Sequence, residues 1–136
     1  MARREPPPEF LIDRSLGKRH LAEALRSHGY VVHTLASVYG EQVGQHLEDE
    51  RWLRDAGAKG WIVLMKDDAI RRRPAERDAL IDAGVRAFCL TNAQLRAAEQ
   101  TERFVANRHR IVQQARKPGP YIYGVYDQGL RRLWRK

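Results

Sequence analysis

Apolar positions along the chain come in two kinds of run, and the two kinds alternate. Short continuous stretches occur at Phe10-Leu11-Ile12, from Tyr30 to Thr34, from Gly60 to Met65 and from Val85 to Leu90. Between them, apolar residues recur at helical spacing. Leu16, Leu21, Ala22, Ala24 and Leu25 predict a helix ended by Gly29, and Trp52, Leu53 and Ala56 share one face of a helix starting near Glu48. A loop containing Gly40 and Gly44 leads into that second helix, and a third runs from about Pro74 to Ala83 and stops at Gly84. Asn92 is placed to cap a long last helix that reaches about Arg116 and is broken by Pro118-Gly119-Pro120. Tyr121 to Tyr126, a turn at Asp127-Gln128-Gly129, and Leu130 to Trp134 then read as a hairpin.

A strand that is apolar at every position, rather than at every second one, is covered on both faces, as in a parallel sheet. The order β-α-β-α-β-α-β-α therefore predicts an α/β fold: one domain with a mostly parallel, Rossmann-like sheet flanked by helices. Its end is a C-terminal β-hairpin or a loose tail. Residues 1–8, with Pro6-Pro7-Pro8, read as a flexible extended leader, residues 9–126 as the domain, and residues 127–136 as a basic tail.

Composition narrows the class. At 43% hydrophobic residues the chain has enough apolar material for a core despite 31% charged residues, so disorder is excluded. No apolar run approaches the roughly 18 residues of a membrane span, and the N-terminus lacks an apolar signal segment. A single cysteine, Cys89, cannot form an internal disulfide, which suits a reducing cytoplasm. The net charge of +8 is unevenly placed. Residues 1–102 hold 16 basic and 16 acidic side chains, and residues 103–136 hold nine basic groups and one acid, Asp127. A neutral body with a cationic end points to a polyanion or an acidic partner.

Candidate chemistry lies at the strand ends. In open parallel sheets, ligands sit beyond the carboxyl ends of the strands. Asp13 follows the first apolar run and Asp67 follows the third, so neighbouring strands would bring both acids to one crevice, with Asp49 entering from the start of the second helix. Carboxylates crowded together raise one another's pKa unless a cation compensates them. Oxygen-only ligands suit a hard divalent ion such as Mg²⁺ or Mn²⁺. Glu50 and Asp68 are additional candidate acids. The five histidines show no zinc spacing, and neither a Gly-rich nucleotide loop nor a Gly-x-Ser-x-Gly motif is present.

Three stretches resemble PIN-like domains: Phe10-Leu-Ile-Asp-Arg-Ser-Leu-Gly-Lys18, Asp49-Glu-Arg-Trp-Leu53 and Gly60-Trp-Ile-Val-Leu-Met-Lys-Asp67. The group they are most similar to is the short PIN-like toxins of the VapC type. Ile70-Arg-Arg-Arg-Pro74, the strand from Val85 to Thr91 and Pro118-Gly-Pro120 extend the likeness over residues 9–126. The resemblance implies a single PIN-like domain acting as the toxin of a type II toxin–antitoxin system. Such a toxin is a Mg²⁺- or Mn²⁺-dependent endoribonuclease that cleaves single-stranded or structured RNA and is held silent by a cognate antitoxin. It also implies that Asp13, Asp49 and Asp67 are both metal ligands and catalytic acids, and that homodimers or toxin–antitoxin hetero-oligomers form.

The chain departs from the family pattern in two places. The Thr of the family's Thr-x-Asp strand end is Met65, and the separate glutamate of longer PIN domains has no clear match, with Glu41, Glu48 and Glu50 as candidates. Arg14 and Lys18 beside Asp13, and Lys66 with Arg71, Arg72 and Arg73 beside Asp67, are candidates for holding RNA phosphates. Trp52 and Trp61 read as core rather than as stacking platforms. The final helix and the Arg131–Lys136 tail are expected to steer RNA or dock an acidic antitoxin. The alternative is a non-catalytic α/β regulatory or RNA-binding domain, either receiver-like, with Asp67 as phosphoacceptor and Thr91 at the next strand end, or a degenerate PIN-like fold.

Overall fold

A computed structural model of the chain describes residues 8–16, 19–66, 73–91 and 94–135. The leader 1–7, Lys18, Asp67, Asp68, Arg71, Arg72 and Asn92 lie outside the described residues. The four predicted strands form as β1 (Glu9–Ile12), β2 (Val31–Thr34), β3 (Ile62–Lys66) and β4 (Arg86–Leu90), joined by β5 (Tyr121–Tyr126) and β6 (Gly129–Arg135). They make one six-stranded sheet in the order β2-β1-β3-β4-β5-β6, parallel except for the β5–β6 hairpin. Of the two forms expected for the C-terminus, the hairpin is the one that forms.

The continuous apolar runs have the expected cause. Alternate residues of each strand belong to opposite cores, because side chains point to the two faces in turn. Phe10 and Ile12 of β1, Ile62 and Leu64 of β3, and Phe88 and Leu90 of β4 pack with the helices α1 (His20–Ser27), α6 (Ala97–Ala106) and α7 (Arg108–Gln114). Leu11, Val63, Met65, Ala87 and Cys89 pack on the other face, with α2 (Leu35–Tyr39), α4 (Asp49–Lys59) and α5 (Pro74–Ala83). Trp52 and Trp61 are both buried there, as core residues.

Two segments differ from the sequence expectation. The stretch around Gly40 and Gly44 is helical, with α2 and α3 (Glu41–His46) separated only at Gly40, where φ is 87°. A Cβ on Gly44 would meet the backbone of Leu35 at 3.0 Å, so the second glycine permits the two short helices to pack closely rather than marking a loop. The long last helix is two helices, broken at Asn107. That residue is fully buried, and its Nδ2 donates to the carbonyl oxygens of Arg103 at 2.8 Å and Tyr126 at 2.9 Å. A helix interior cannot hold both bonds and also continue straight, so the amide ties the helical layer to the end of β5 at the cost of a kink.

Chain order places the site. From β1 the chain passes to β2 on one side, and it then returns to lay β3 on the other side of β1. The β1/β3 boundary is therefore the point where the winding reverses. There the connections leave in opposite directions and a crevice opens beyond the strand ends.

Candidate active site

Asp13 sits at that reversal point. Its backbone N–H donates to the carbonyl of Leu64 at 2.9 Å, so the residue after β1 is still locked to β3. A 3-10 turn, Arg14–Leu16, follows at once and folds Ser15 back over Asp13. The Ser15 hydroxyl donates to Asp13 Oδ2 at 2.6 Å and accepts from the backbone N–H of Lys66 at 3.3 Å. One side chain thus spans the ends of both strands. Met65, which stands where the family carries a threonine, is buried against α4 and α5 and brings no hydroxyl. Ser15 brings one to Asp13 from the turn that follows β1.

Asp49 enters from the first turn of α4, where the exposed N–H groups of a helix favour negative charge. Its Oδ1 accepts from Trp52 Nε1 at 2.9 Å. It lies near enough to Asp13 for its charge to count there. The Asp13 carboxyl is held above its ordinary value chiefly by burial, and Asp49 raises it further, against the lowering effect of Ser15, the Arg14 backbone and the Arg14 charge. Burial and a like charge both penalise the ionised form, so a cation placed here would favour the ionised carboxylate.

Glu76, in the first turn of α5, is the acid that the sequence reading missed. Its carboxyl lies close enough to Asp49 for the two acids to act on each other. It is held above its ordinary value by burial first, then by the charge of Asp49, with Arg73 opposing. The Arg73 guanidinium lies 3.4 Å from Glu76 Oε1. Two acids this close disfavour each other's ionised form, and Arg73 offsets part of that repulsion. The signal was present in the sequence: Glu76 follows Pro74 in the first turn of a helix, just as Asp49 opens its own. What hid it was that α5 and α4 meet only in the folded sheet.

The other expected residues divide. Glu50 is partly buried in the first turn of α4, and among the described residues no hydrogen bond or ion pair joins it to Asp13 or Asp49. Arg14 donates to the carbonyl of Leu47, which pins the loop before α4 and engages part of a guanidinium expected to hold RNA phosphate. Arg73 is turned to Glu76, and Lys66 ends β3 half-exposed. Asp67, Asp68, Lys18, Arg71 and Arg72 lie outside the described residues. Among the described residues no three His, Cys, Asp or Glu side chains converge as a metal cage. The acids are linked in pairs through Asp49, first with Asp13 and then with Glu76.

The PIN-like domain model matches residues 8–92, a span that runs from β1 to just beyond β4 and holds Asp13, Asp49, Asp67 and Glu76. The chain belongs to the PIN-like domain family. A Mycobacterium tuberculosis (strain ATCC 25618 / H37Rv) protein named "Putative ribonuclease VapC45" is 36% identical over 124 residues, covering 91% of this chain and 90% of its own length. That likeness places this PIN-like chain with the VapC type. No solved structure matches it. Among the described residues no helix is long and apolar enough to cross a membrane.

The PIN-like site suits a hard divalent cation by its donor chemistry. Among the described residues the ligating side chains gathered there offer only oxygen, from carboxylates and the Ser15 hydroxyl, and both acids with raised pKa values are raised in part by the charge of Asp49. A bound Mg²⁺ or Mn²⁺ would relieve that repulsion.

Proposed function

We propose that this protein is the toxin of a type II toxin–antitoxin system, an endoribonuclease dependent on Mg²⁺ or Mn²⁺ that acts on single-stranded or structured RNA in the cytoplasm. The observation that carries the reading is the half-buried Asp13 at the β1/β3 reversal point, sharing its crevice with the first-turn Asp49. Family membership and the relative's name as a ribonuclease favour a nuclease over a receiver-like or degenerate domain.

In this reading Asp13 and Asp49 hold the cation, with Asp67 joining them as the family resemblance implies. A cation held there would offset charge on the scissile phosphate and make a nearby water easier to deprotonate. The chain's own residues do the positioning. Ser15 fixes the orientation of Asp13 and joins it to the end of β3, so the two strand ends move together. The helix dipole of α4 and the Trp52 N–H steady Asp49. Lys66, with Lys18, Arg71 and Arg72, supplies charge for phosphates flanking the cut. The cognate antitoxin binds over this crevice in a hetero-oligomer, and homodimers form in its absence.

The test is cleavage of total RNA by the purified full chain in Mn²⁺, with Asp13→Asn and Asp67→Asn as controls and size-exclusion chromatography confirming that the variants fold. Cleavage should disappear in each variant and in excess EDTA. Undiminished cleavage in either variant or in EDTA would overturn the reading. A labile aspartyl phosphate formed from acetyl phosphate and Mg²⁺ would support the receiver-like alternative instead.

A further inference from the structure

Trp52 lies one helical turn after Asp49, on the same face of α4, and is 1% exposed. A buried indole N–H needs an acceptor. Here the acceptor is not a backbone carbonyl but Oδ1 of the acid at the helix start, 2.9 Å away. The ring belongs to the same core as Leu11 of β1 and Val63 and Met65 of β3. These are the two strands whose ends carry Asp13 and lead to Asp67. A carboxylate at an open helix start is not fixed in orientation by the helix itself. This one is anchored by one oxygen to a ring wedged against the strands it must work with.

We infer that Trp52 is a positioning residue for the cation site: its indole N–H holds the Asp49 carboxylate in the orientation that faces Asp13 and Glu76. The inference rests on the proposed reading of Asp49 as a cation-holding acid. A purely structural role is the competing account, in which Asp49 serves only to satisfy the buried N–H. The two accounts differ in what happens to metal affinity once the ring is kept and the N–H is removed.

The experiment is Trp52→Phe in the full-length chain, stripped of metal and titrated with MnCl₂, with free Mn²⁺ read by electron paramagnetic resonance below the melting temperature. Loss of a hydrogen bond behind a metal ligand weakens binding by about 10- to 100-fold, and a loss of at least about tenfold is expected here. In an Asp49→Asn background the same substitution should change affinity by less than about twofold, because the effect passes through the carboxylate. A structural role alone would lower the melting temperature and leave Mn²⁺ affinity unchanged, and that result would overturn the inference. A wild-type chain that binds no Mn²⁺ would overturn the cation reading itself, and the inference with it. Should Trp52→Phe not fold, the wild type decides. Its Trp52 indole N–H resonance should shift on Mg²⁺ titration with the midpoint of binding while that of Trp134 stays in place, and an unmoved Trp52 resonance would refute the inference.

Discussion

Gly57→Ala sets two well-measured effects against each other. Gly57 lies inside α4, where replacing glycine by alanine ordinarily stabilises a helix by about 1 kcal/mol. A Cβ at this position, however, would stand 2.3 Å from the carbonyl oxygen of Ala83, 2.6 Å from its Cβ and 3.0 Å from its carbonyl carbon. Ala83 is the last residue of α5, so the obstacle is mainly backbone, and no rotamer change relieves it. The helices must separate by something near an ångström. Overpacking of that kind costs about 1–3 kcal/mol, and the upper part of the range applies where backbone is struck. The clash wins by about 1–2 kcal/mol. For a chain of this length 1 kcal/mol moves the melting temperature by about 3–4 °C, so a fall of about 3–8 °C is expected. Function should follow, since α4 begins with Asp49 and α5 carries Glu76 in its first turn, and the approach of the two acids depends on how these helices pack. Thermal unfolding by circular dichroism in EDTA, with Mn²⁺ titration of the folded variant, measures both. A melting temperature raised by 3 °C or more would show that helix propensity prevails, and the close approach of α4 and α5 would then be refuted.

Other outcomes follow from the same contacts. Asp13 and Glu76 have folded pKa values above their ordinary 3.8 and 4.5, so between those values and the raised ones the folded state binds more protons than the unfolded. Stability in EDTA should therefore fall as pH rises through that window, Mg²⁺ should restore it, and Asp13→Asn should gain on the wild type as pH increases; a wild type that instead gains on Asp13→Asn would contradict the sign. Ser15→Ala removes the hydrogen bond that lowers the Asp13 pKa, so it should push that pKa higher and weaken Mn²⁺ binding by about tenfold, read by the same titration. Asn107→Ala should cost about 1–3 kcal/mol in chemical denaturation, because the Tyr126 carbonyl loses its donor, and a loss under 0.5 kcal/mol would mean that water replaces the amide. Arg131→Gln with Arg132→Gln, both exposed on β6, should flatten the salt dependence of RNA binding without changing the melting temperature by more than about 2 °C. Removing residues 130–136 outright is the poorer test, since it takes away nearly all of β6, with Leu133 and Trp134 packed on the core.

The alternation of short apolar runs and helical repeats was enough to place the first four strands, and Gly84 closed α5 where expected, in the left-handed conformation that favours glycine. Those features are local. They depend on which residues neighbour each other in sequence, and side-chain periodicity records that directly. Asn107 shows where such reading stops. It looks like an ordinary helical residue until the carbonyl of Tyr126, nineteen positions away, is brought beside it. Met65 shows the same limit from the other side. It lacks the hydroxyl of the family pattern, and the hydroxyl that Asp13 receives comes from Ser15, in the turn after β1.

The site divides along the same line. The sequence alone determined that Asp13 ends a buried strand and that Asp49 opens a helix, because strand ends and helix starts are written in the local pattern. It also placed the candidate acids in the neutral body and confined the excess charge to residues 103–136. Only the tertiary structure decided that β1 and β3 are neighbours, that the winding reverses between them, and that Glu76 reaches Asp49 while Glu50 does not join the cluster. The physical reason is that a carboxylate's environment is set by what is packed against it. Burial and a like charge a few ångströms away act through space, and distance along the chain carries no information about either.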